Sequence, residues 1–361
     1  RHLVDGRLVR DNVYGTIDGG GHTLTVAGPG ETNIRINNSL TNLAGITVNT
    51  TGSGRLRLES SQAPASPFAI TVNSGAIVDS WADKTFGANL GLILNGGSLQ
   101  ANGGTADFAA VWNGPVTVTG SAEVAANKHI RLQGAVSGTG SLTKIGLGTL
   151  TLSGANTYGG GTNVNAGTLL VNNASGSGTG NGAVVINSGA TLGGTGAIGG
   201  AVTIHDGGWL SPGASPGVLA MESLLLEAGS TTVMEIDGLL RGTEHDGIDI
   251  GAEDGLTYGG ALSLAFGNST LLPAGTVIDL FSFNGTAAGS FGSVVSTGDQ
   301  YAGTWVWDNV DTFSLEYGWQ TLLFSHATGD LTIIPEPGTV VLLLIGLLGL
   351  ACRRVRRQAG R

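Results

Sequence analysis

Apolar positions in this chain come in short bursts. From about Val4 to Leu219 they fall in runs of three to five residues, such as Thr23-Leu-Thr-Val26, Gly45-Ile-Thr-Val48, Arg55-Leu-Arg-Leu58, Ala69-Ile-Thr-Val72, Leu92-Ile-Leu94 and Pro115-Val-Thr-Val118. The series continues through Thr149-Leu-Thr-Leu152, Thr168-Leu-Leu-Val171, Ala183-Val-Val-Ile186 and Ala201-Val-Thr-Ile204. Each run alternates with period two or is β-branched, and each closes on turn chemistry such as Asn95-Gly96 or Asp206-Gly207, so each reads as a short strand. Before Pro337 no window longer than ten residues keeps a 3.6-residue period, which predicts strands and no helix.

The runs repeat a frame. Ala69-Ile-Thr-Val-Asn-Ser-Gly-Ala-Ile-Val78 and Ala183-Val-Val-Ile-Asn-Ser-Gly-Ala-Thr-Leu192 share four strand residues, Asn-Ser-Gly-Ala and a second strand. Asn165-Ala-Gly-Thr-Leu-Leu170 and Asn95-Gly-Gly-Ser-Leu99 vary the same turn. One such unit cannot bury its apolar face alone, so units must stack on one another. Parallel stacking gives a β-solenoid with a thin aliphatic core, in which the recurring Asn suits left-handed corners and side-chain ladders. A series of antiparallel sandwiches is the alternative, disfavoured because few runs reach six residues and the loops are not uniform.

From Val218 to Ile333 strands lengthen, and 12 of the 20 aromatic residues lie between Tyr258 and Phe324. Bulkier strands of this kind suit the end of a solenoid, where open backbone edges need covering. The expected divisions are therefore 1–217 for the repeats, 218–333 for C-terminal coils or a cap, and 334–361 for a distinct tail.

Composition sharpens this picture. Gly accounts for 64 of 361 residues and charged residues for 12%, far from the usual ~7% Gly and ~25% charge. No G-X-Y period is kept, so the chain is not collagen-like. The single cysteine, Cys352, lies in the tail, so disulfides do not hold the body together. Between Ile145 and Cys352 Arg241 is the one basic residue against 17 Asp and Glu, within a formal net charge of −10. Such a surface repels nucleic acid, which is excluded as a partner. Arg1-His2-Leu3 opens without Met or an apolar leader, so an exported chain of this kind is read as lacking its N-terminal segment.

Sites for chemistry are few. Gly213-Ala-Ser-Pro-Gly217 has the letters of a nucleophile elbow, and Gly194-Thr-Gly-Ala-Ile-Gly199 those of a dinucleotide loop. Neither is followed by a helix, so both read as solenoid turns. Asp246, Asp249, Glu253 and Asp254, in an acidic stretch that also holds His245, are candidate Ca2+ ligands; a solvated acidic loop is the competing reading. No cofactor is expected. A carbohydrate-active β-helix enzyme, a lyase or hydrolase, would need basic residues, and these lie in the first half at Arg55, Arg57, Lys128 and Arg131. Arg55 and Arg57 alternate with Leu56 and Leu58 and so point outward from one strand face, which reads as a solvated surface.

The tail joins three unlike pieces: Pro335-Glu336-Pro337, an uncharged apolar run from Gly338 to Cys352, and Arg353, Arg354, Arg356 and Arg357. The apolar run has no polar face, and the arginines stay on the cytoplasmic side of a bilayer. Fifteen residues make about 22 Å of helix against a ~30 Å hydrocarbon core, a short transmembrane helix and a poor permanent anchor.

In this order the pieces resemble the PEP-CTERM protein-sorting domain of biofilm-forming Gram-negative bacteria. The resemblance implies that Pro335, Glu336 and Pro337 are read by an exosortase, a membrane processing enzyme. It implies an inner-membrane precursor that is then released or transferred to the cell surface or extracellular matrix, with exopolysaccharide or surface glycans as surroundings. An ordinary C-terminal anchor is the alternative. A second stretch, Leu142-Thr-Lys-Ile-Gly-Leu-Gly-Thr-Leu-Thr-Leu-Ser-Gly-Ala-Asn-Thr-Tyr-Gly-Gly-Gly-Thr-Asn-Val-Asn-Ala-Gly-Thr-Leu-Leu-Val-Asn-Asn173, looks like the autotransporter-associated β-strand repeat. That family's members form parallel β-helical passenger regions of surface proteins, with their own C-terminal translocator barrel; such a barrel needs more strands than follow here. The expected fold is thus all-β: a right-handed parallel β-helix with an aromatic-rich β cap and one C-terminal transmembrane helix. The expected function is structural or adhesive, without enzymatic activity, outside the cell.

Overall fold

A computed structural model describes residues 11–335, apart from 14–16, 30–32, 37–39, 53, 82, 104–108, 214, 268–270 and 309. The apolar run and the arginines of the tail lie outside the described residues, and so does the expected transmembrane helix. Among the described residues every regular element is a strand, and no helix is long and apolar enough to cross a membrane.

The strands stack in parallel, in register, as a β-solenoid. A 15-stranded sheet, here the long sheet, starts at Asp11–Val13 and passes through Arg55–Leu58, Leu142–Ile145 and Val218–Leu226 to Phe281–Asn284, with Leu256–Tyr258 and Ala288–Gly289 branching from Val218–Leu226. A second, 11-stranded sheet runs from Thr85–Phe86 to Ser293–Thr297, with Gly303–Thr304 added antiparallel at its end. A third, of six strands, closes the first half from Thr23–Pro29 to Val136–Ser137. Side chains that meet across successive coils are 20 to 25 residues apart in these turns. The parallel register excludes the sandwich alternative.

Alternation decides which residues fill the interior. In Arg55–Leu58 and Phe68–Asn73 every second residue is buried, and like residues stack: Ile46 pairs with Ile70, then Ile70 with Leu92 and Leu92 with Val116. Each fully buried Leu, Ile or Val contributes about 1.5–3 kcal/mol of transfer free energy, and coil after coil supplies the same layer. Phe86 and Trp112 stack inside it, centroids 4.3 Å apart.

Glycine is required where backbones of neighbouring coils nearly touch. A Cβ on Gly114 would lie 1.9 Å from the Leu90 carbonyl oxygen, and one on Gly134 2.0 Å from that of Gly114. The sequence-level expectation that Asn takes the left-handed corners is corrected here. In Asn73-Ser-Gly-Ala and Asn187-Ser-Gly-Ala the positive φ falls on Gly75 (75°) and Gly189 (77°), while Asn builds the ladders. The reason is steric, since Gly takes that region without a Cβ penalty.

The parallel register passes Gly217 and continues through Gly247–Glu253 and Phe281–Asn284. The coils widen: residues meeting across them are now 29 to 32 apart. The end is covered by a five-stranded antiparallel sheet ordered Val277–Asp279, Asp330–Pro335, Gln320–Ser325, Thr312–Tyr317 and Val306–Trp307. Beneath it Tyr258, Phe281, Phe291, Phe324 and His326 pack ring against ring with centroids 5.0–6.3 Å apart. The aromatic residues concentrated after Tyr258 thus include the ones that seal the solenoid end.

Candidate functional site

Ladders of polar side chains run up the solenoid corners. Asn73 Nδ2 donates to Asn49 Oδ1 (2.5 Å), Asn95 Nδ2 to Asn73 Oδ1 (3.0 Å), and Thr119 Oγ1 to Asn95 Oδ1 (3.0 Å). Asn127 reaches Asn102 (2.6 Å), Asn187 reaches Asn165 (2.8 Å), and Ser141 reaches Ser121 (3.2 Å). Each amide has one donor side and one acceptor side, so a column of them satisfies itself while holding coils in register.

Beside the first ladder lies a shallow groove of about 300 Å³, lined by Gly75, Gly96, Gly97, Ser98, Gln100 and Glu123, among others. Its polar groups engage one another: Ser98 Oγ donates to Glu123 Oε1 (3.3 Å) and Gln100 Nε2 to Ser98 Oγ (3.4 Å). Glu123 is the one carboxylate among the lining residues. Glycoside hydrolysis uses two, about 5–10 Å apart.

Arg55 and Arg57 do point outward, but the expectation of a solvated face is corrected: they cover Asp79, which is fully buried. Arg57 Nε donates to Asp79 Oδ2 at 2.9 Å, Arg55 Nη1 approaches the same oxygen at 3.4 Å, and Asn102 Nδ2 donates to Oδ1 at 3.2 Å. Burying a carboxylate is costly unless it is paired and hydrogen-bonded in this way, and on the long sheet Asp79 stands opposite Arg57. Arg131 belongs to the second sheet and Lys128 to the corner before it. Arg55 and Arg57 therefore sit on a different face from Arg131.

In the acidic stretch the side chains part company. Asp246 is buried and accepts the backbone N–H groups of Gly217 and Glu235, both at 2.8 Å. Burial, with Glu235 and Asp237 nearby, pushes its carboxyl up to about 6, against the pull of those N–H groups. Asp249 pairs with Arg241 at 2.8 Å, and Asp254 accepts from Thr286 N (2.6 Å) and Oγ1 (3.0 Å). Glu253 is exposed at the end of Gly247–Glu253. Among the described residues no group of three or more His, Cys, Asp or Glu is arranged to hold a metal ion. Arg241 also donates to the Asp279 (3.0 Å) and Ile248 (3.2 Å) carbonyls and faces the Asp279 carboxylate at 3.4 Å. It ties the acidic turn to the first strand of the terminal sheet.

The two catalytic-looking glycine motifs pair with each other. Gly213 N donates to Gly194 O (2.8 Å) and Gly194 N to Gly213 O (3.2 Å), and strand Ala197–Ile204 begins within the first of the two motifs. Bends at Thr195-Gly196 and Ser215-Pro216 lie between strands, and among the described residues no helix follows either, as read from the sequence.

Three polar residues matter more than their letters suggested. Lys144 is fully buried, standing between Val124 and Val164 on the long sheet, and its Nζ donates to the carbonyls of Gly146 (2.6 Å), Ala166 (2.8 Å) and Ile145 (3.1 Å). Desolvation lowers its ammonium to about 8. Asn156 takes over where the third sheet stops: its Oδ1 accepts Val136 N–H (2.7 Å) and its Nδ2 donates to Gly178 O (2.5 Å). His326 sits among the aromatic rings with Nδ1 on the Asp311 carbonyl (2.9 Å) and Nε2 facing the Phe291 N–H (3.0 Å). A polar letter in a repeat shows neither whether it points inward nor what it meets there. The one sequence signal was position: Lys144 occupies a strand site where its stacking neighbours are valine.

Of the sorting signal, Pro335 ends strand Asp330–Pro335 and pairs with Gln320. Glu336, Pro337, Arg353, Arg354, Arg356 and Arg357 lie outside the described residues.

Residues 142–171 match a protein-family model described as Passenger-associated-transport-repeat, and residues 334–357 one described as PEP-CTERM protein-sorting motif. Over 106 residues the chain is 36% identical to the protein named Adhesin BmaC autotransporter of Brucella suis biovar 1 (strain 1330). That stretch is 28% of this chain and 3% of the adhesin, so the chain spans a small part of that relative's length. Lys144 and Asn156 both fall inside the matched repeat. The repeat and the tail, expected from the residues, are both recovered as family matches.

Proposed function

We propose that this chain is an exported, non-enzymatic surface or extracellular-matrix protein: a stiff, acidic β-solenoid with a structural or adhesive role. The observation that carries the reading is the pairing of a passenger-type repeat at 142–171 with a sorting motif at 334–357 in one chain. The relative named an adhesin supports the adhesive part. Corner ladders that satisfy their own hydrogen bonds, and a groove with a single carboxylate among its lining residues, support a scaffold more than an enzyme.

In this reading the apolar run holds the precursor in the inner membrane, Arg353, Arg354, Arg356 and Arg357 stop it on the cytoplasmic side, and an exosortase-like enzyme acts at Pro335-Glu336-Pro337. The solenoid then remains at the cell surface or among exopolysaccharide. Loss of five tail arginines (Arg353, Arg354, Arg356, Arg357 and Arg361) with Glu336 retained moves the formal charge from −10 to −15. Intact mass of the protein from cells with and without the processing enzyme tests this: the expected product lacks the tail only when the enzyme is present. An identical, tail-bearing mass in both overturns the sorting role.

A further inference from the structure

The second sheet presents an uncharged outward stripe that carries an exposed indole. Thr149, Thr168 and Thr191 stand opposite one another on successive strands, followed by Trp209 and then Thr231. These are outward positions: the residues between them, such as Leu150, Leu169, Leu192 and Leu210, are fully buried. Trp209 is 44% exposed, unusual for so large a ring on a flat face. Among the described residues no other protein group engages the four threonine hydroxyls or the Trp209 indole N–H. The corner amides, by contrast, are consumed by their ladders.

The neighbouring outward column adds relief. Leu170 pairs with Gly193 and Gly193 with Ser211, so a position without a side chain lies diagonally beside the indole. Neither column carries a charged residue from Thr149 to Thr231, in a protein of net charge −10. Charge flanks the stripe instead, with Arg131 on one side and Glu235 on the longer strands beyond.

We propose that this stripe binds a neutral, extended polysaccharide laid along the solenoid axis. The indole face stacks on the apolar face of one sugar ring, while hydroxyls at ~4.8 Å intervals exchange hydrogen bonds with successive sugar hydroxyls. Aromatic rings with a polar edge suit a ligand that is apolar on its faces and polar on its rim. An uncharged stripe in an acidic protein favours a neutral polymer over an acidic one. The proposal rests on the adhesive reading for its biological place, but its binding chemistry is independent of how the chain is exported.

Native affinity electrophoresis of the full chain in gels containing hydroxyethyl cellulose tests it, with alginate as the acidic comparator. The expected result is retardation by hydroxyethyl cellulose and none by alginate. Trp209→Ala should weaken binding about tenfold or more, equivalent to about 1.4 kcal/mol, while Trp209→Phe retains part of it and Thr191→Val weakens it less. Thermal melting of each variant, expected to match the wild type, separates lost binding from lost fold. Absence of retardation by the neutral glucan, equal retardation of wild type and Trp209→Ala, or retardation by alginate alone overturns the proposal. A self-associating wild type that Trp209→Ala renders monomeric, with no glucan effect, assigns the stripe to contact between copies and also overturns it. Failure of glucan binding with normal surface display removes this inference alone. Failure of export with intact glucan binding removes the sorting role alone.

Discussion

His326 makes the cap sensitive to acid, and its surroundings set the sign of the effect. Its Nδ1 donates to the Asp311 carbonyl at 2.9 Å, which leaves Nε2 as the acceptor for the Phe291 N–H at 3.0 Å. Rings of Tyr258, Phe291, Phe324, Trp307 and Phe313 surround the imidazole, which is 4% exposed. Protonation turns Nε2 into a donor aimed at a donor, inside an apolar cage. Burial accordingly lowers the His326 pKa, while the Asp311 carbonyl and carboxylate and the Asp308 carboxylate pull the other way. The unfolded chain holds the extra proton below about pH 6.5 and the folded chain does not. Stability is therefore complete above that pH and falls as acid is added, by at most about 1.4 kcal/mol per pH unit until the folded-state pKa is reached. One unit of acidification should lower the melting midpoint of the cap by about 2–4 °C. Near-ultraviolet circular dichroism reports on it through Trp305 and Trp307. The comparison to make is wild type against His326→Gln, since His245 shifts in the same direction and Asp246, raised to about 6, contributes the opposite slope at lower pH. The variant's midpoint should depend less on pH between about 6.5 and 5.5. Equal pH dependence in the two proteins refutes the argument.

Three further predictions concern the repeat and the cap. Lys144→Ala orphans three carbonyls and opens a cavity, so urea titration should show a loss of about 2–5 kcal/mol. Because the folded state depresses the lysine to about 8, wild-type stability should also rise with pH from there to about 10.5, a slope the variant lacks. Asn156→Ala leaves Val136 N–H and Gly178 O without partners at the end of the third sheet. It should cost about 2–4 kcal/mol and speed amide exchange at Val136 ahead of distant coils. Arg241→Ala unties Asp249, Asp279 and two carbonyls; as the arginine is partly exposed, about 1–2 kcal/mol is expected, seen as faster hydrogen exchange in Val277–Asp279.

The strands and their parallel stacking were legible because period-two alternation maps directly onto one buried face. The corners were legible too, but not their identity. Asn73-Ser-Gly-Ala turns the third sheet into the long sheet, whereas Asn187-Ser-Gly-Ala turns the long sheet into the second. The same local chemistry makes both bends, and only the count of strands per coil tells them apart. Buried polar groups were the least legible. Asp79 reads as an ordinary strand carboxylate until the register sets Arg57 beside it, and Asn156 reads as a loop residue until the third sheet is seen to end at Ser137. Those contacts join residues about 20 positions apart, a separation fixed by coil length and not by any local pattern.

The near-contact of Gly134 with the Gly114 carbonyl has a consequence for how such a protein changes over time. Where coils meet through backbone at a spacing set by the peptide unit, as at Gly114 and Gly134, each such layer offers its neighbour nearly the same docking surface. Insertion or loss of a whole coil of 20 to 25 residues would then lengthen or shorten the rod by ~4.8 Å and leave both ends as they were. Reach becomes an inherited dimension that duplication can tune, separately from whatever the ends and faces have learned to hold.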